Sequence, residues 1–151
     1  MVNKATKGVL EQAARQCEEH GCKLTDKRKV VLTGLLESEK ALSAYELADF
    51  CRAKLGADLL PMSVYRILDF LEGEKLVHRL NLANKYVACA HIVCDHDHES
   101  PQFLICKVCS QVQEVTLPVE AVQDITRTIE SSGFQLASNQ IELDCVCSEC
   151  A

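Results

Sequence analysis

The residues with most capacity for chemistry in this chain are its thiols. Cys106-Lys-Val-Cys109 and Cys147-Ser-Glu-Cys150 form two CxxC pairs, a spacing at which one tight turn aims two sulfurs at a single ion. Together they fit a four-thiolate zinc site, which is closed and therefore structural, because no coordination position remains for water or substrate. A redox dithiol would come as one pair at a strand-to-helix junction rather than as two. Cys145, two residues before Cys147, is an alternative ligand that breaks the symmetry of the pairs. Cys17, Cys22 and Cys51 fall in helical or turn contexts and read as packing residues.

A second, looser group comprises His78, Cys89, His91, Cys94, His96, His98 and Glu114. Nitrogen donors with one or two sulfurs suit zinc better than iron. An ion held by such scattered residues would tie separate parts of the chain together, which suits a sensor; the plainer alternative is a solvated loop that picks up metal adventitiously. A zinc hydrolase with Glu114 as general base is the enzymatic rival. Neither an HExxH sequence nor a nucleophile motif accompanies it, so the chain is expected not to be an enzyme.

The elements that position these groups follow from hydrophobic periodicity. Apolar residues recur at three and four from Thr6 to His20, and Gly21 stops that helix. Helices are also predicted over Asp26–Glu37, capped by Thr25, and from Ala44 towards Leu55, capped by Ser43. A fourth, MSVYRILDFLEGE, starts with Pro61 in its first turn and is ended by Gly73. LVHRL and KYVAC are short β-rich runs around the turn-like NLAN, so a two-stranded wing follows the helices. This order is that of a winged helix-turn-helix. In the fourth helix Val64, Ile67, Leu68 and Leu71 form the apolar stripe, leaving Met62, Arg66 and Asp69 opposite, flanked by Ser63 and Tyr65. Such a face either meets a DNA groove or is merely solvated, and the wing favours DNA.

The polar stretch AHIVCDHDHESPQ then marks a boundary. Beyond it, QFLIC and QVQEVTLP read as a hairpin, PVEAVQDITRTIESSG as a helix and FQLASNQIEL as a strand. The fold class is therefore α+β: an N-terminal winged helix-turn-helix domain over 1–84, a hinge over 85–99, and a small α/β dimerisation domain with a structural zinc site over 100–151. The 151 residues suffice for two small domains, the second needing a staple.

Composition agrees with a division of labour. The net charge is −6, yet residues 1–90 hold 14 Lys/Arg against 12 Asp/Glu, and residues 91–151 hold 2 against 10. Phosphate contacts therefore belong to the first part. Ten cysteines without an export signal point to reduced, metal-binding thiols rather than disulfides. With no long apolar run, the chain is expected to be soluble and cytoplasmic, with no membrane partner.

Across nearly its whole length the chain resembles the Fur family of metalloregulators. The resemblance is carried by LTDKRKVVL, SAYEL, PMSVYRILDFLEGEKLVHRL, CKVC and the terminal CSEC. SAYEL and the cysteine of YVAC are similar to the zinc-sensing branch, whereas the family's iron sensors usually lack that sulfur. The resemblance implies structural zinc at Cys106, Cys109, Cys147 and Cys150, and regulatory zinc at His78, Cys89, His98 and Glu114. Residue spacing after Cys89 departs from the zinc-sensor pattern by one, so His96 is the alternative to His98. His91, Cys94 and His96 are candidate ligands for an auxiliary ion, giving two Zn2+ per subunit with donors for a third. Tyr45 and Arg66 match positions that meet DNA, joined by Ser63, Tyr65 and Arg28 as expected contacts. The implied function is a homodimeric repressor that binds palindromic double-stranded operator DNA when zinc-loaded, represses zinc-uptake genes and has no small-molecule substrate. A family sensor of iron or peroxide is the alternative.

Overall fold

The computed structural model describes residues 3–93 and 102–151. The chain divides into two compact units, Met1–His96 and Asp97–Ala151.

The first unit opens with four helices: α1 (Lys4–Glu19), α2 (Asp26–Ser38), α3 (Ala44–Leu55) and α4 (Pro61–Gly73). Their starts are chemically specified. The side chains of Asn3, Thr25 and Ser43 accept hydrogen bonds from the free first-turn amides of Ala5, Arg28 and Glu46, and Pro61 supplies a preset φ where α4 begins. The apolar stripes of α2, α3 and α4 meet in one core, in which Val31, Leu32, Leu47, Val64, Leu68 and Leu71 are completely shielded. At Gly34 α2 packs tightly on α3: a Cβ there would lie 2.8 Å from Leu47 Cδ1 and 2.9 Å from Cys51 Sγ.

After α4 the backbone turns through Lys75 at positive φ into the antiparallel hairpin of β1 (Val77–Leu80) and β2 (Lys85–Ala88). Leu42 and Tyr86 exchange both backbone hydrogen bonds, so the segment before α3 flanks β2 and ties the hairpin to the helices. The segment expected as hinge from residue 85 thus begins inside the wing, because β2 pairs residue for residue with β1.

The second unit is a three-stranded sheet with one helix: β3 (Gln102–Cys106), β4 (Val112–Val115), α5 (Val119–Ser131) and β5 (Ile141–Cys145). The strand order is β4-β3-β5, with β4 antiparallel and β5 parallel to β3. Gln102 is buried at the start of β3, and its Oε1 accepts the amide of Ile141 at 3.0 Å, which sets the register of the parallel pair. The long strand expected over FQLASNQIEL is shorter, beginning only at Ile141; Gly133, at φ +84, turns the chain out of α5 first. Among the described residues no helix is long and apolar enough to cross a membrane.

Candidate metal centres and nucleic-acid face

Sheet topology explains why two CxxC turns 37 residues apart in sequence converge. β3 and β5 run parallel with Cys106 opposite Cys145, so both strands end on the same side of the sheet. The chain leaving β3 turns tightly through Cys109 and Ser110, the latter at φ +64, before β4. The chain leaving β5 turns back on itself where the amides of Cys150 and Ala151 bond the Cys147 carbonyl. A bond from the Lys107 amide to the Cys145 carbonyl holds the two turns side by side.

The result is a cluster in which the sulfurs of Cys106, Cys109, Cys147 and Cys150 all lie within 4.8 Å of one another. Zinc–sulfur bonds of about 2.3 Å in a tetrahedron require sulfur–sulfur edges of about 3.8 Å, and Cys109 Sγ lies 3.8 Å from Cys147 Sγ. The four residues therefore fit a zinc ion. Cys145 is not in the cluster; strand pairing places it beside Cys106 in the ladder instead.

The electrostatics are unequal among the four. Backbone amides of Cys109, Cys147 and Val108 point at the Cys106 sulfur and hold its thiol down to about 6, whereas the hydrogen bond with Cys147, and then burial, push Cys150 up to about 12. One thiolate thus stands ready at neutral pH, while an ion must displace a proton from Cys150.

The second group of candidate ligands is divided between the units. In the wing, the Cys89 amide bonds the Leu76 carbonyl, which puts Leu76 opposite Cys89 and makes His78 its diagonal neighbour on the same face. The ligand atoms of His78 and Cys89 are within 4.8 Å of each other, Cys89 is 5% exposed and His78 Nε2 is buried. The Cys89 sulfur also accepts the His91 amide at 3.5 Å. Glu114 stands on β4, paired with Phe103. Cys94, His96 and His98 lie outside the described residues.

The outward face of α4 carries Met62, Ser63, Tyr65 and Arg66, with Met62 and Arg66 exposed. Tyr45, in the first turn of α3, is 63% exposed and meets Tyr65 edge to face, with ring centroids 6.3 Å apart. The two helices thus present a joint surface of two phenols, a hydroxyl and a guanidinium. Lys85 in the wing pairs with Glu46 of α3 at 3.2 Å, fixing the hairpin to that surface. Arg28, the other expected contact, is held in place: its guanidinium stacks 3.6 Å from the Phe70 ring centre and donates to the Lys23 carbonyl at 2.6 Å, bridging α2 and α4.

One cluster goes unread in the sequence. Cys17, Cys22 and Glu74 bring two sulfurs and a carboxylate together, although Cys17 and Cys22 are expected to be packing residues. No spacing rule finds it, because Glu74 arrives from the far end of α4.

Residues 19–144 match the ferric uptake regulator family. The zinc uptake regulation protein of Escherichia coli (strain K12) is 36% identical over 151 residues, covering 99% of this chain and 85% of that protein. A solved zinc uptake regulator complexed with zinc and DNA superposes with a TM-score of 0.82 at 34% identity, covering 98% of this chain and 96% of that one. A crystal structure of holo XcZur gives a TM-score of 0.74 at 33% identity, covering 96% and 97%.

Proposed function

Since the chain belongs to the ferric uptake regulator family, we propose that it is a zinc-responsive repressor that binds palindromic operator DNA as a homodimer in the cytoplasm and silences zinc-uptake genes. The observation that carries this reading is the joint surface of α3 and α4, on which Tyr45 and Arg66 are exposed and the half-buried Ser63 and Tyr65 lie between them, beside a braced wing. Arg66 is suited to a bidentate bond with a guanine edge and the tyrosines to base or phosphate contacts, while Arg28, held by its stack on Phe70, is suited to a backbone phosphate.

The proposed structural zinc is held by Cys106, Cys109, Cys147 and Cys150. The sensed zinc is taken by His78, Cys89, His98 and Glu114, with His96 the alternative to His98; His91 and Cys94 are left to an auxiliary ion. A divalent ion supplies charge neutralisation and fixed coordination to ligands drawn from both units. His78 and Cys89 contribute an imidazole and a thiol from the stem of the wing, a donor pair that favours zinc over iron. Ligation restricts the apo ensemble to binding-competent arrangements, which raises apparent DNA affinity.

The second copy has a surface to meet. Val122, Ile125 and Ile129 line one side of α5, yet α5 buries none of its residues, and β5 is an edge strand with Leu143 half exposed. A C2 partner would cover both.

The test is binding to a palindromic operator, titrated against buffered zinc and separately against ferrous iron. Zinc alone is expected to tighten binding by about 150-fold, equivalent to ~3 kcal/mol. Arg66→Ala should weaken operator binding by ~1–3 kcal/mol with little change on random DNA. A response to iron alone would make the chain an iron sensor, and binding indifferent to both metals would remove the sensing role.

A further inference from the structure

The end of α1 carries a cluster that the proposed repressor does not use. Cys17 lies in its last turn, and Gly21, at φ +75, folds the following chain back so that the Cys22 amide and thiol both reach the Cys17 carbonyl, at 2.9 and 3.2 Å. Glu74 joins them from the end of α4, where its backbone carbonyl accepts the Gln16 side-chain amide at 2.6 Å. The sulfurs of Cys17 and Cys22 and a carboxylate oxygen of Glu74 all lie within 4.8 Å of one another. His20 Nδ1 is 2.6 Å from Glu74 Oε2, so the imidazole holds the carboxylate in place from the solvent side.

We infer that Cys17, Cys22 and Glu74 form a third metal site, specific for a borderline-soft divalent ion such as zinc, with His20 orienting the carboxylate. The donor set decides the class of ion. Two thiols exclude magnesium and calcium, which take oxygen ligands, and two sulfurs with one carboxylate match zinc. A ligating carboxylate is ordinarily itself hydrogen-bonded, and His20 supplies that bond here. Access is suitable: Cys17 is buried, Cys22 is half-buried and the Glu74 side chain is 18% exposed, so an ion enters from the His20 side.

The chemistry balances without an oxidant. One divalent ion enters and the thiol protons leave to solvent. Burial, then the Cys22 thiol and the Glu74 carboxylate, push the Cys17 thiol up to about 12. The ion must therefore displace a firmly held proton from Cys17. A disulfide between the same thiols would need an external oxidant and would leave Glu74 without a part.

The experiment is equilibrium dialysis of the full chain against buffered zinc, with zinc per chain measured for wild type, Cys22→Ser and Glu74→Gln. At saturation Cys22→Ser should hold one ion fewer, and Glu74→Gln should weaken that ion about tenfold. Both variants should melt like wild type in chelator, since serine can still bond the Cys17 carbonyl and glutamine can still bond His20. In the wild type, alkylation of Cys22 should slow as the zinc absent from Cys22→Ser binds. Equal zinc content in wild type and Cys22→Ser, or Cys22 alkylation indifferent to zinc, overturns the inference.

Discussion

Helices α4 and α5 have the same length, 13 residues, yet α4 buries Val64, Leu68 and Leu71 whereas α5 buries nothing. The contrast extends to the units that contain them. In the first unit, four helices and the stem of the wing share one apolar core. In the second, the buried residues among those described are confined to β3, at Gln102, Phe103, Ile105 and Cys106. So small a core cannot offset the entropy of ordering its chain unaided, and the four convergent sulfurs act as its staple. One unit is stabilised by burial and carries a reading surface; the other depends on ligation and on a partner.

This contrast can be broken most severely at the metal. Cys109→Ser should abolish tight zinc retention and melt β3, β4 and β5 while α2–α4 remain folded, since binding worth ~10–16 kcal/mol can decide whether so small a unit folds. Hydrogen exchange resolves the outcome, and persistent protection of β3 in that variant would show that the sheet stands without its staple. A core deletion reverses the pattern. Leu68→Ala should lower the stability of the first unit by ~2–5 kcal/mol and leave zinc content unchanged; a thermal scan with metal analysis checks both.

Acid should act on the second unit first. The Cys106 thiol is held down to about 6 against an ordinary value of 9, so its preference for the ionised form contributes stability fully present above pH 9 and lost as pH falls through about 6. In the zinc-free chain, alkylation of Cys106 should therefore slow only as pH falls through about 6, and a rate already falling near pH 9 would contradict the amide-held thiolate. The smallest effect belongs to a cap. Ser43→Ala should cost ~1 kcal/mol in the first unit, read from denaturant unfolding.

Local chemistry is legible in the amino-acid sequence. Thr25, Ser43, Pro61 and Gly73 mark helix ends because capping is a short-range interaction, and the two CxxC pairs announce their own ion. Helix α1 starts earlier than its apolar pattern because Asn3 serves as its cap, while Thr6 bonds the Glu37 carboxylate at 2.7 Å on α2. That contact spans 31 residues, which periodicity cannot register. Parallel pairing of β3 with β5 is equally invisible in the sequence, since it rests on a buried glutamine bonding an amide 39 residues away. The Arg28 stack and the Cys17, Cys22 and Glu74 cluster share this cause: each is made only when distant helices pack.

That parallel pair also orders events in time. While the chain emerges from the ribosome, α2, α3 and α4 can close on their sequential neighbours as each appears. β3 and β4 can form a hairpin bearing two thiols, but β3 must wait through all of α5 before β5 arrives with the other two. Closing so long a loop is slow. During that interval the nascent molecule displays a half-built thiolate pair beside a finished reading head, and the staple is set last.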